Sequence, residues 1–572
     1  RSLAVSLQRI GRSGHWRGAI PKGRFFATTR DDLMECAAAV RAIRHGELDR
    51  LMIPQAPLDI LAQQIVAMCS CEEWDEEELF DCVRRAYPYR DLTREQFDRI
   101  ITMLSQGIAA KRGRYGAYLF HDRVNRRLRA RRGAKLAAIT SGGAIPETAL
   151  FTVVSQPEEI IVGTVDEDFA VESNAGDIML LGNTSWRIHR VEANSGRMLV
   201  EDAHGLPPTI PFWRGEAPAR TAELSQHVAE LRDQLSDRLP HTTPLPSQPP
   251  GDRTDAKGER PPVRLRGLES SPEVQNAVAW LKEECSLDDA GAEQLVEYIV
   301  TGRAVLGTVP TQRTIIAERF FDEGGGMQLV IHAPFGGRVN KAWGLALRKC
   351  FFRSFNFELQ ATATDDGLNI ALAEQHSFPL SEVFHYLQPE TVQEVLEQAA
   401  LASPIFATRW RWDANRSLAL LRFQGGKKIP PQIQRIRSDD LLASVFPDVA
   451  ACQENIVGDI RIPDHPLIEE VMKDVLTEAM DIDGLRAVLN GIRDGSIRTL
   501  AVDTPVPSQF SHEILNANPY AFLDDAPLEE RRARAVQMRR MLPEAVVREV
   551  GRLDQAAIAR VRDEARPDVR DA

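Results

Sequence analysis

The chain has 572 residues, enough for three or four domains of ordinary size. Its 43% hydrophobic and 27% charged content is that of a soluble globular protein. With 70 basic residues against 82 acidic ones, the net charge of −12 excludes a uniformly basic nucleic-acid coat but leaves room for a local basic track. Its seven cysteines include no CxxC pair, and there is no apolar run of about 18 residues. A zinc ribbon and a membrane-spanning helix are therefore excluded, and reduced thiols in a cytoplasmic protein are expected.

In chain order, Arg1-Ser2-Leu3 has neither an initiator Met nor signal-peptide features, so the chain is expected to begin inside a domain. Residues 1–50 read as a short helical piece, a Gly-rich loop, the strand Gly23–Thr28, and a helix opened by Asp31 and Asp32 at its dipole-favoured end. A strand followed by a helix suits the tail of an α/β domain. Residues 51–147 change to three amphipathic helices, Leu58–Met68, Glu76–Ala86 and one from Thr93 to Leu104. The third has Gln96 placed for a capping box. The aromatic stretch Tyr115–Phe120 then reads as a β-hairpin wing, and three helices with a wing make a winged helix.

Residues 148–235 alternate like strands, with turns at Asn174-Ala-Gly176 and Asn194-Ser-Gly196, and predict a small antiparallel barrel or sandwich followed by a helix over 217–235. Residues 236–265, rich in Pro and Ser, read as a linker or surface insertion. Over 266–572 a helical stretch to 303 precedes mixed α/β text. Strands are predicted at Thr314–Glu318 and Met327–His332, and mostly helical sequence with basic loops follows. The fold class expected is α+β multidomain.

Chemistry concentrates in Gln8-Arg9-Ile10-Gly11-Arg12-Ser13-Gly14-His15. Two arginines three apart among glycines can project guanidinium groups into a crevice and stabilise charge developing on a transferring γ-phosphoryl. A solvated basic loop is the bland alternative for any lone RxxR, but not for the whole octapeptide.

These eight residues resemble motif VI of superfamily 2 helicases, QRxGRxGR, with His15 in place of the last arginine. That form is similar to the large helicase-related (Lhr) family. So are Tyr87–Leu92, Leu181–Trp186, Pro211-Phe212-Trp213, His332–Arg338 and Asn516–Asp525. The resemblance covers nearly the whole chain. It implies a DExH-type ATP-dependent helicase with two RecA-like domains, a winged helix and a large family-specific domain around one DNA strand. It also implies 3′-to-5′ translocation and unwinding of DNA or RNA:DNA duplexes, usually in DNA repair. On this reading 1–50 is the end of the second RecA-like domain, 51–147 the winged helix, and 148–235 with 266–572 the family-specific, DEAD/H-associated region.

Gln8, Arg9, Gly11 and Arg12 would then contact ATP, with Arg9 and Arg12 catalytic, while ATP and Mg2+ would be bound mainly by an N-terminal domain that this chain is expected to lack. The chain contains no GxxxxGK[ST] loop, since Gly425-Gly426-Lys427-Lys428 lacks the first glycine and the hydroxyl, and no DExH box. It is thus expected to carry only the second half of a nucleotide site and to be inactive alone.

Nucleic-acid contacts are expected from Lys111 to Lys135, where ten basic residues face the single acid Asp122. Arg112, Arg114, Tyr115, Arg126 and Arg127 are the candidates, unless this is a solvated helix face. By resemblance, an aromatic stacks on a base of the loading strand. Trp213, flanked by turn residues, is the candidate for it, with burial in the core as the other reading. Ile145 is either an apolar wedge between bases or a linker residue packed on the barrel. Trp186 reads as core, and Trp410 with Trp412, two apart, as neighbours on one strand face. His332 and His465 are isolated, and no metal site is expected. A non-motor winged-helix DNA-binding protein is the competing function, and it has no use for Gln8–His15.

Overall fold

The computed structural model describes residues 1–14, 18, 20–110, 113–146, 149–181, 184–193, 195–206, 218–240, 271–321, 326–355, 360–372, 378–450 and 458–516. Helix α1 (Leu3–Gly11) starts where the Ser2 hydroxyl accepts from Val5 N, and α2 (Arg30–Arg44) where Thr29 accepts from Asp32 N. The strand expected at Gly23–Thr28 does not form: the segment is extended and largely exposed, and Phe26 projects into solvent. A strand persists only where a neighbour satisfies its N–H and C=O groups, and none pairs with it among the described residues. Instead α2 buries Met34, Ala37, Ala38 and Ala42 against α8 (Ala222–Arg238), α9 (Pro272–Cys285) and α10 (Asp289–Leu306) in one shared core.

The winged helix comprises α3 (Leu58–Cys69), β1 (Trp74–Asp75), α4 (Glu76–Arg84) and α5 (Arg94–Gln106). The Thr93–Gln96 capping box forms with both reciprocal hydrogen bonds. The wing is displaced from its predicted place. A short hairpin pairs β2 (Ile108–Ala110) with β3 (Gly113–Tyr115), and the main one pairs β4 (Leu119–Asp122) with β5 (Arg127–Ala130). Strand β1 adds to the second hairpin, so Tyr115–Phe120 bridges two hairpins instead of forming one. Asp122 sets the real turn by accepting from Val124 N and Asn125 N at 3.1 Å each. Helix α6 (Ala134–Ser141) follows.

The next sheet orders β7 (Ile160–Asp166), β6 (Leu150–Ser155), β10 (Arg197–Asp202), β9 (Thr184–Glu192) and β8 (Ile178–Leu181), with α7 (Glu167–Glu172) after β7. It is mixed, since β10 and β6 run parallel, and therefore not the all-antiparallel barrel expected. Its edges curl toward each other: a Cβ at Gly163 on β7 would lie 3.2 Å from the Leu181 side chain on β8. The result is a half-barrel over Phe151, Val165, Phe169, Met179 and Met198.

The second sheet orders β13 (Gln360–Ala363), β14 (Gly367–Leu372), β12 (Met327–His332), β11 (Thr314–Phe321) and β17 (Arg498–Asp503). Every residue of β12 is buried, which accounts for its unbroken apolar run. Leu329 and Ile331 face α11 (Gly337–Phe355), while Val330 meets Ile514 of α18 (His512–Asn516). Around them lie α12 (Val392–Leu401), α13 (Pro404–Arg416), the hairpin β15 (Phe423–Gln424) to β16 (Lys427–Lys428), α14 (Pro431–Val445), α15 (Pro447–Ala450), α16 (Pro466–Asp474) and α17 (Ile482–Asp494). Gly425 and Gly426, at φ +60° and +76°, form the turn of that hairpin.

Two further expectations are corrected here. Trp410 and Trp412 lie on a helix, which turns them to different faces. Trp410 is buried with Nε1 donating to Ser438 O at 3.0 Å, and Trp412 is half-buried with Arg409 over its ring. His332 is not isolated: its Nε2 meets Glu318 at 2.7 Å, and Ser508, Ser511 and Thr504 donate to the same carboxylate. Burial opposes that charge, yet His332 and the Ser508 donors prevail and bring Glu318 down to about 2.

Candidate nucleotide-contact and nucleic-acid surfaces

Gln8, Arg9 and Gly11 occupy the last turns of α1, and Arg12 caps its end with its N–H to Arg9 O at 3.2 Å. Three-residue spacing puts Arg9 and Arg12 on one side of the helix, and all four residues are exposed. Ser13 steadies the following loop, its Oγ 2.7 Å from Ile10 O and accepting from Lys22 N at 3.0 Å. His15 lies outside the described residues.

At the other end of α1, burial works against the Asp49 charge. Donors from Ala4 N, Thr221 and Ser2 nonetheless hold the carboxyl below the usual range. Asp49 thereby ties α1 to the start of α8.

Helix α2 is held more firmly still. Arg220 and Arg232, both buried, converge on Asp366 at 3.0 and 2.9 Å; Arg220 also meets Glu35, and Arg232 meets Asp31 at 3.2 Å. Burial and the neighbouring Asp366 raise Asp31 to about 7. Burial opposes ionisation of Asp366 too, but the two guanidinium groups outweigh it and press its carboxyl far below the ordinary range. One of two adjacent acids takes the charge. The segment bearing Arg9 and Arg12 is thus locked to the second sheet through Arg220, Arg232 and Asp366, which sequence reading did not single out, and through Asp31, which it read only as a helix opener.

The wing presents the expected cations. Arg114 on β3, Arg126 in the β4–β5 turn and Arg127 on β5 are exposed, as are Arg123, Arg129, Arg132 and Lys135. Arg126 carries φ +54° and lies 3.6 Å from Glu77. Tyr115 is half-buried against the core, and the Tyr118 hydroxyl donates to Leu418 O at 2.9 Å, so neither ring is displayed as an open stacking platform. Phe120 takes that place: it is 43% exposed with the Arg129 guanidinium 4.5 Å from its centroid. Alternation in β4 could have revealed it, since buried Leu119 turns the next side chain outward. Ile145 is 83% exposed beyond α6 and does not pack on the half-barrel as a linker residue would. Lys111, Arg112 and Trp213 lie outside the described residues.

Comparison with known proteins bears on what these surfaces serve. The family model "Large helicase-related protein, winged helix domain" matches residues 41–210, and "DEAD/H associated" matches residues 309–511. The Lhr helicase/probable uracil glycosylase of Mycolicibacterium smegmatis is 32% identical over 98% of this chain and 34% of its own length. The ATP-dependent helicase Lhr-Core of Methanothermobacter thermautotrophicus is 27% identical over 96% of this chain and 58% of its own. The solved structure of Mycobacterium smegmatis helicase Lhr bound to ssDNA and AMP-PNP superposes with a TM-score of 0.65 at 27% identity, covering 90% of this chain and 55% of that one.

The chain belongs to the large helicase-related family. It spans 34% of the mycobacterial Lhr protein and 58% of the archaeal one. The Lhr winged-helix match takes in the half-barrel sheet as well as the three helices and wing. The winged helix is not a detached module, because Leu61, Ile65, Phe97 and Leu104 share one continuous core with Trp343, Trp410 and Leu467 of the DEAD/H-associated region. Among the described residues no helix is long and apolar enough to cross a membrane.

Proposed function

We propose that the chain is the arginine-supplying and strand-binding part of an ATP-dependent 3′-to-5′ DNA translocase that separates DNA or RNA:DNA duplexes in DNA repair. The observation that carries this reading is the exposed basic wing in a chain of net charge −12. Eight exposed cations between Arg114 and Lys135, with Phe120 among them, suit a strand whose phosphates and bases are gripped without regard to sequence. The likeness to an Lhr helicase bound to ssDNA and AMP-PNP supports both the strand and the nucleotide.

Arg9 and Arg12 fit a γ-phosphate contact: they are exposed, side by side, and neither is engaged by a carboxylate among the described residues. When bound, ATP with Mg2+ supplies the phosphoryl group whose hydrolysis drives translocation. The contribution of this chain is two fixed positive charges, with Gln8 and Gly11 beside them, where negative charge develops. Arg114, Arg126 and Arg127 hold the strand backbone, Arg112 extends that track, and Ile145 and Trp213 contact bases. Stacking at Trp213 suits a motor because every base offers a π-face.

The purified 572-residue chain should bind single-stranded oligonucleotides of any sequence and show no DNA-stimulated ATP hydrolysis, because it has no phosphate-loop lysine. Failure to bind single strands at low salt, or ATP turnover with contaminants removed, overturns this reading.

A further inference from the structure

Surface loops are ordinarily held by little, yet the loop bearing Ile145 is gripped at three successive carbonyls. Gly143 O accepts from Gln63 Nε2 at 3.3 Å, Ala144 O from Arg416 Nε at 3.0 Å, and Ile145 O from Arg422 Nη2 at 3.2 Å. Gln63 closes the loop from the other side as well, its Oε1 accepting from Gly143 N at 2.9 Å while its Nε2 also donates to Arg416 O at 2.7 Å. Gln63 belongs to the winged helix, whereas Arg416 and Arg422 belong to the DEAD/H-associated region, so two domains hold one loop. The glycines are part of the device. A Cβ at Gly142 would meet Ala138 O at 2.5 Å, and Gly143 sits at φ +129°.

Arg416 is itself held rigidly. Its Nη1 lies 3.3 Å from Asp59, 3.1 Å from Asp413 and 3.2 Å from Asp474, three buried carboxylates from α3, α13 and α16. With one arm fixed there, the other arm cannot drift from Ala144. The loop's backbone is thus pinned while the Ile145 side chain stands 83% exposed. Helix α6, which leads into the loop, also turns Leu136 and Ile139 to solvent beside Arg132 and Lys135. An apolar surface edged by cations suits bases flanked by phosphates.

We propose that Gln63, Arg416 and Arg422 are positioning residues that hold Ile145 as a fixed apolar wedge against the base stack of a bound strand. The inference rests on the reading of Ile145 as a nucleic-acid contact and adds what makes that contact rigid. A wedge on a loose loop would be pushed aside by the stack; a pinned one transfers strain to the bases.

The test uses the whole 572-residue chain and single-stranded oligodeoxynucleotides carrying 2-aminopurine at successive positions, whose emission rises when the base is unstacked. The unmodified protein should raise emission at one position, and Ile145→Ala should abolish the rise. Arg422→Ala and Arg416→Lys should abolish it too while keeping strand affinity by anisotropy. Arg416→Lys retains a cation among the three carboxylates but loses the second arm. If it melts early, Arg422→Ala decides, because that residue is partly exposed at the surface. A normal rise in both arginine variants, with none in Ile145→Ala, overturns the positioning role and leaves the contact standing. No rise in the unmodified protein, or an undiminished one in Ile145→Ala, overturns both.

Discussion

The arginines of the wing and those of the seam between α2, α8 and the second sheet do opposite work with the same side chain. Arg126, Arg127 and Arg129 stand in water, with Arg126 a loose 3.6 Å from Glu77 and Arg129 resting on Phe120. Arg220 and Arg232 are buried and spend their donors on Asp366, Glu35 and Asp31. An exposed guanidinium contributes little to folding and stays available to a phosphate. A buried one is committed, and its removal strands a carboxylate in the interior. The segment bearing Arg9 and Arg12 combines both kinds, an exposed working end on a helix pair anchored by a buried ionic lock.

That contrast predicts the largest effect where exposure and chemistry coincide. In a protein carrying this chain together with an ATP-binding domain, Arg12→Ala or Arg9→Ala should lower ATP turnover by about 10³-fold or more, as loss of an arginine finger does. Melting temperature and strand affinity should not change. Near-normal turnover in either variant would remove the arginine from the nucleotide.

Arg232→Ala should show the reverse pattern, costing about 3–5 kcal/mol because Asp366 loses one of its two buried counter-charges. Denaturant unfolding of the chain alone measures this. A loss below about 1 kcal/mol, the range of exposed ion pairs, would mean that water reaches the seam.

Neutralising Arg126, Arg127 and Arg129 together to Gln should leave stability within about 0.5 kcal/mol. It should flatten the salt dependence of single-strand binding by about 2 in log–log slope, roughly 0.7 per lost phosphate contact. An unchanged slope would place the strand elsewhere.

Legibility in the sequence divides along the same line. Local devices read correctly: the Thr93–Gln96 box and the strand Met327–His332 both depend on neighbours a few residues away. The Gly23–Thr28 strand failed because a strand is a relation between segments, and its partner is not among the described residues. Trp410 and Trp412 were misread although Ser403 and Pro404 supply an N-cap and an N1 proline, a helix start that period-2 spacing hid. The seam could not be read, because the Arg220 backbone N–H meets Asp365 across 145 positions and nothing local marks either residue. The pins of the Ile145 loop are hidden for the same reason, with Arg416 separated by 272 positions from Ala144.

The smallest effect concerns protons at the junction of the winged helix and the DEAD/H-associated region. Burial, with Asp59 and Asp474 nearby and Lys473 opposing, raises Glu470 to about 8. Its carboxyl accepts from Leu58 N at 2.8 Å. Because its folded pKa lies above the unfolded value, the native state holds a proton that the unfolded chain has released. The stability from this group is complete below about pH 4.5 and is lost as pH rises through about 8. Other groups titrate earlier. Asp31 and Glu513 lie at about 7 and Asp474 at about 6, all raised first by burial. Burial lowers His465 and His512 to about 4, which weakens the fold only on the acid side. Between pH 7.5 and 8.5 the slope therefore reports Glu470 more than any of these. Glu470→Gln keeps an acceptor for Leu58 N and removes the titration, so its melting temperature should fall less than that of the unmodified chain across this interval. Parallel melting curves would show that Glu470 is already ionised at neutral pH and that Lys473, 2.7 Å away, outweighs the burial.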